Sequence, residues 1–227
     1  NYFKQVLKLL LEMYPQIDQL SVWHRRPGTK AGLGSIWMSF PYEKFPEDWK
    51  MEYQNKFKEH PEIEDNLMAS GTFAYGKLIA AIQRARDEIK PDLVISSGSW
   101  RFQYIPYADA MYPEDVPLVP LDWEVVFDTP ESETILANAG RNREMYPVIW
   151  AHHDDHRYIG RPYTPWNNLS DRLKNTNSNG FGIIHWTTHP LDLYFTSSAR
   201  QVWKNSENEP LETTVQNYVN TSFSENT

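Results

Sequence analysis

The chain has 227 residues, 40% of them hydrophobic, and a formal net charge of −8. That length suffices for one substantial core or part of a larger one. The acidic balance and the absence of a basic stripe argue against a nucleic-acid partner, and no apolar run approaches the roughly 18–20 residues needed for membrane insertion.

Cysteine is absent, which excludes disulfides and thiolate metal sites but leaves the compartment open, since many exported proteins also lack it. Nine Trp and thirteen Tyr are unusually many. Such rings either fill a core or offer rigid apolar faces to sugar rings. The chain opens directly on helical spacing, without an initiator Met or targeting tract. The expectation is therefore a piece of a longer protein, with further domains upstream and downstream.

In chain order, the apolar spacing of residues 2–13 predicts a helix, and "QLSVW" (19–23) a buried strand followed by the polar, Gly-rich loop "HRRPGTKAGLG". Residues 46–60 look like a charged surface helix, and residues 71–90 form a stronger amphipathic one. Beyond Pro91 the pattern becomes rhythmic. Strands are expected at "DLVISS" (92–97), in 116–127, at "YPVIWAHH" (146–153) and at "NGFGIIHW" (179–186). Helices are expected at 131–145, at 164–176 behind a Thr-Pro start, and at 190–203. The tail after 205 reads as a following helical segment or as disorder, which makes 1–205 the main domain and 206–227 the next unit.

Short apolar strands alternating with helices predict an α/β protein with a parallel sheet. The expectation is the C-terminal portion of a (β/α)8 TIM barrel, with an open doubly wound sheet as the alternative. No G-x-G-x-x-G fingerprint supports nucleotide binding, and no cofactor is expected. Each strand ends in a polar and aromatic burst. These bursts comprise Trp23, His24, Arg25 and Arg26; Trp100 and Arg101; Asp122, Trp123 and Glu124; His152, His153, Asp154 and Asp155; and His185, Trp186 and His189. A parallel sheet carries all such bursts to one edge, where ligands collect.

Asp122 and Glu124 stand two apart on an expected strand, so their carboxylates share a side about 6.5–7 Å apart. Either they serve chemistry, as the two carboxyl groups of glycoside hydrolysis do, or they pair with Arg25, Arg26 or Arg101. In "HHDDH" (152–156) a metal site, acid–base or sugar-hydrogen-bonding use, and a plain polar loop all fit. The spacing matches no established metal motif, and no metal is assigned. His185 and His189 flank "WTT"; Pro190 makes His189 a turn residue, which favours substrate contact or loop anchoring over ligation. Arg25 and Arg26 could hold a carboxylate through forked hydrogen bonds, or stay solvated. Trp100, Trp123 and Trp186 are candidate sugar platforms.

The segment "GFGIIHWTTHPLDLYFTSSARQVWKNSENEPLETTVQNY" resembles the closing part of family 67 α-glucuronidases, where a Trp-Thr-Gly-His-like turn leads into an aromatic helix ending in Arg-x-x-Trp. "LVPLDWEVVFDTPE" is similar to that family's Gly-Pro-Ile-Asp-Phe-Gln strand, matching Asp122 to a catalytic-base aspartate. "VIWAHHDDHRYIG" falls where the family has Gln-Glu-Tyr-x-Gly, and "QLSVWHRRPGTKAG" where it has Lys-x-x-x-Glu. The resemblance implies a (β/α)8 hydrolase acting on uronic-acid-bearing plant or algal polysaccharide. The sequence departs from it at the general acid, where Trp23 to Arg26 contain no carboxyl group, and at the second glutamate, where Asp154 or Asp155 would substitute. Pro117 replaces a lysine. These departures imply a relative with a different sugar or a repurposed site. Asp122 is then the expected base or stabiliser and Glu124 a fallback acid. Two other expectations stand beside the glycosidase: a non-catalytic glycan-binding barrel, and a metal-dependent hydrolase using His152 to His156.

Overall fold

A computed structural model describes residues 2–24, 40–99, 104–121, 130–153, 161–162, 165–185, 191–203 and 207–223. Helix α1 (Tyr2–Met13) turns at Tyr14 to Asp18 into strand β1 (Gln19–His24). A short 3-10 turn (Tyr42–Lys44) precedes α2 (Glu47–Glu59) and α3 (Leu67–Asp87). Then follow β2 (Val94–Ser99), α4 (Ile105–Met111), β3 (Leu118–Pro120) and α5 (Pro130–Asn142). The rest comprises β4 (Val148–Trp150), β5 (His152–His153), β6 (Arg161–Pro162), α6 (Leu169–Asn175), β7 (Gly182–Ile184), α7 (Asp192–Val202) and α8 (Leu211–Phe223).

Among the described residues the expected C-terminal portion of a (β/α)8 barrel is not formed. The described strands make a three-stranded parallel sheet, β1-β2-β3, a two-stranded parallel sheet, β4-β7, and a two-residue antiparallel pair, β5-β6. The first two meet at one parallel bridge, Leu118 with Met145, where the Leu118 amide donates to Glu144 O and the Tyr146 amide to Leu118 O, both at 2.9 Å. A barrel needs a continuous ladder around its whole circumference. Here β3, β4 and β7 are three residues long, the pairing between β3 and β4 stops at the strand entrances, and most of the described residues are helical. The alternation of apolar runs fixes strands and their direction, but closure depends on how far each ladder extends.

Strand alternation sorts the side chains onto two faces. Leu20, Val22, Ile95, Leu118, Met145, Ile149, Ala151 and Ile183 pack into one core with residues of every helix from α1 to α7 except α2. Their neighbours of opposite parity, Val119, Leu121, Val148, Trp150 and Ile184, form a separate small cluster. Helices therefore cover one face of the sheets among the described residues, so the doubly wound alternative, with helices on both, is not formed either.

A second core is built around aromatic rings. Phe45, Tyr53 and Phe73 meet edge-on or tilted at centroid separations of 5.3–5.5 Å, with Ile63, Ala69, Ala74, Ala110 and Met111 around them. Helix α2 is thus no simple surface helix: Tyr53 is buried, and its hydroxyl donates to Asp65 at 2.7 Å. Helix α3 starts at Leu67 rather than Gly71 because Asn66 caps it, its Oδ1 accepting from the Met68 and Ala69 amides at 2.9 and 3.0 Å. At α6 the Thr-Pro start is bypassed. Asn168 takes a left-handed conformation, and the helix is capped from elsewhere. Gln201 Oε1 accepts from Leu169 N at 3.2 Å, and Asn208 Oδ1 from Ser170 N at 3.1 Å.

The sheets are joined through a buried arginine. Arg143 Nε donates to Asp109 Oδ1 at 2.9 Å, Nη2 to the Asp109 carbonyl at 2.7 Å, and Nη1 to the Pro113 and Val116 carbonyls at 3.0 and 3.1 Å. Arg143→Ala would leave a carboxylate and three carbonyls without this partner in a dry place. It is expected to cost about 3–5 kcal/mol, read as a lower midpoint in urea unfolding.

At the C-terminal end, Glu209 accepts from Arg200 Nε and Nη2 at 2.7 and 2.8 Å and from the Thr214 hydroxyl at 2.8 Å. The Arg200 hydrogen bond, with help from Thr214, holds the Glu209 carboxyl below its usual range. Its stabilising contribution is therefore present above the ordinary carboxylate value and lost as pH falls through the lowered one. Protection of the α8 amides, taken against their intrinsic exchange rate at each pH, is expected to fall in that acid window in the wild type and to be lower already at neutral pH in Glu209→Gln.

Candidate functional site at the carboxyl edge of the strands

β1, β2, β3, β4 and β7 are mutually parallel within their sheets, and the bridge joining the sheets is parallel too. Their carboxyl ends consequently point the same way. By chain position, each expected burst of polar residues begins at one of these ends: Trp23 at β1, Ser99 before Trp100 at β2, Leu121 before Asp122 at β3, His152 after β4, and His185 after β7. Adjacent strands lie about 4.8 Å apart, so β1 to β3 span roughly 10 Å of edge.

Of the candidates, Trp23, His152 and His185 have described side chains, and His24 and His153 are placed through their backbone. Arg25, Arg26, Trp100, Arg101, Asp122, Trp123, Glu124, Asp154, Asp155, Trp186 and His189 lie outside the described residues.

Trp23 closes β1 on the face away from the helices. It pairs with Gly98 of β2, and its indole lies directly over that residue. A Cβ built on Gly98 would come within 2.6, 2.8 and 2.9 Å of indole Cε2, Cζ2 and Cδ2. The residue nonetheless keeps 43% of its surface exposed. Gln19 and Ser21 share that face of β1, and Gln19 Nε2 donates to Ser96 Oγ at 2.9 Å.

The "HHDDH" stretch does not simply prolong β4. After Trp150 the chain bends at Ala151, and His152 and His153 pair antiparallel with Pro162 and Arg161. Asp154 and Asp155 thus fall, by chain position, between the arms of a short hairpin. His152 is buried at 4% exposure. His185 stands exposed at the end of β7, its ring edge-on to Phe195 of α7 at 5.6 Å, a contact that anchors the β7–α7 connection. Among the described residues, no group of three or more His, Asp or Glu is placed to hold a metal ion.

The titratable groups behind β2 are of a different kind. Burial pushes the Tyr112 phenol far up, with Tyr104 and Tyr75 adding to the effect and the Ser97 hydroxyl and Arg143 opposing it. Burial likewise raises Tyr75 and Tyr104. These phenols remain neutral at physiological pH and sit on the helix-covered face.

Gly98 escaped the list of candidates drawn from motifs. The signal was present, because a lone glycine inside a strand often marks a close approach of another group. No known protein family, curated protein or solved structure matches this chain.

The two described tryptophans of the sheets should respond differently to truncation. Trp150 is fully buried, and Trp150→Ala is expected to cost about 3–5 kcal/mol. Trp23→Ala, at an exposed position, should cost under about 1 kcal/mol. Urea unfolding of both variants checks the contrast.

Proposed function

We propose that the chain is a carbohydrate-active hydrolase whose site lies at the common carboxyl edge of its parallel strands. The observation that carries the proposal is the convergence of strand ends. Five parallel strands lead, by chain position, into segments rich in carboxylates, imidazoles, guanidinium groups and indoles, and open parallel sheets gather ligands at that edge. The resemblance to α-glucuronidases supplies the chemistry, a pair of carboxyl groups acting across a glycosidic bond.

In this scheme Asp122 follows β3 and acts as base or stabilising carboxylate. Asp154 or Asp155, between β5 and β6, is its partner, and Glu124 the fallback acid. The acid must hold its proton near neutral pH, which burial or a neighbouring carboxylate would achieve by disfavouring the charged form. One carboxyl group then protonates the departing oxygen while the other activates water or stabilises the sugar cation. Arg25, Arg26 and Arg101 hold an anionic or hydroxyl-rich sugar, and Trp100, Trp123 and Trp186 stack on it. The substrate is a uronic-acid-bearing oligosaccharide from plant or algal polysaccharide.

A second reading, glycan binding without turnover, is favoured by one observation. The stretch from Trp23 to Arg26 offers an exposed indole and cations but no carboxyl group.

The test is product release from uronic-acid-branched oligosaccharides. Asp122→Ala and at least one of Asp154→Ala and Asp155→Ala should lower turnover by about 10²-fold or more. Unchanged hydrolysis in all three variants overturns the catalytic assignment. Sugar-dependent melting shifts in a wild type that yields no product would establish the binding reading instead.

A further inference from the structure

We propose that Gly98 is a positioning residue for the sugar site, laying the Trp23 indole flat as a platform for the C–H face of a pyranose ring. The inference rests on the carbohydrate reading above and deepens it by assigning a subsite. Three observations meet here. Trp23 stands at the carboxyl end of β1, on the face of the sheet opposite the helices. Its indole lies across the backbone of Gly98 so closely that a Cβ would sit 2.6–2.9 Å from three ring atoms, nearer than van der Waals contact permits. And Trp23 remains 43% exposed as a residue, whereas Trp150, on the same face further along the sheets, is fully buried.

Trp150 is enclosed, whereas Trp23 has one side of its ring against the Gly98 backbone and keeps exposed surface on the face of the sheet opposite the helices. Glycine is needed because the ring occupies the space of a side chain. Any Cβ at 98 would lift or tilt the indole, and stacking on a sugar depends on the angle of the ring.

The experiment uses the full chain and a uronic-acid-branched xylo-oligosaccharide as probe. It measures the dissociation constant by tryptophan fluorescence titration, with KM, kcat and the melting temperature, in Gly98→Ala, Trp23→Ala, the double variant and Asp122→Ala. Gly98→Ala and Trp23→Ala should each weaken binding and raise KM roughly threefold to tenfold, leaving kcat little changed. Because Gly98 acts through Trp23, the double variant should bind no worse than Trp23→Ala alone. It also admits the new Cβ, so it keeps the comparison open if Gly98→Ala folds poorly.

Wild-type affinity in Trp23→Ala, wild-type affinity in Gly98→Ala, or additive losses in the double variant each overturn the platform. The hydrolase assignment survives those outcomes if Asp122→Ala still abolishes turnover. A wild-type protein that neither binds nor cleaves the probe overturns both.

Discussion

The architecture hangs on the Arg143 guanidinium. It closes α5 and reaches the carboxylate and carbonyl of Asp109 in α4, and the carbonyls of Pro113 and Val116 in the turn that feeds β3. The next two residues of its own chain, Glu144 and Met145, meet Leu118 at the bridge between the sheets. One buried cation thus holds the exit of a helix, the approach to one strand and the start of another. Its cost of burial is offset because its donors find a carboxylate and fixed carbonyls rather than water. The Asn142 amide adds a further bond to Asp109 at 2.7 Å, and with it the direction of β3 relative to β4 is set.

From that joint follows the division of the sheets into a helix-covered face and an opposite one. On the covered face small and aliphatic residues meet helices, and buried phenols stay neutral. On the opposite face the strands carry Gln19, Ser21, Trp23, Ser96 and Gly98 toward one end, and an apolar cluster around Trp150 toward the other. The contrast between Trp23 and Trp150 lies in position, since both are indoles on strands of the same direction. Trp150 is enclosed within its sheet pair, while Trp23 rests on a backbone with no side chain beneath it. Parallel pairing brings the strand ends to one edge, and side-chain parity determines which residues there face the helices.

Much of the element order was legible in the sequence. Residues 2–13, 19–23 and 46–60 matched α1, β1 and α2 within a residue or so, because apolar spacing at period 3.6 or a short apolar run is a strong local signal. Starts that depend on caps were less legible. Asn66 begins α3 ahead of its first obvious apolar turn, and α6 begins after Asn168 because Gln201 and Asn208, more than thirty residues away in sequence, satisfy its first amides. Tyr53 looked like a surface residue among charges and is buried, because Phe45 and Phe73 come to it from other elements. The barrel was inferred from rhythm, and rhythm carries no information on ladder length.

The sequence by itself determined the apolar periods, the strand directions implied by helical crossovers, and the run of carboxylates, imidazoles and indoles after each strand. These are properties of neighbouring residues and of short-range sterics. Only the tertiary structure decided that the described parallel strands divide into two small sheets, that His152 and His153 pair antiparallel with Pro162 and Arg161, and that His152 is buried while Trp23 is exposed over Gly98. Each of those outcomes depends on contacts between residues far apart in the chain, where a carbonyl, a carboxylate or the absence of a Cβ decides what can approach.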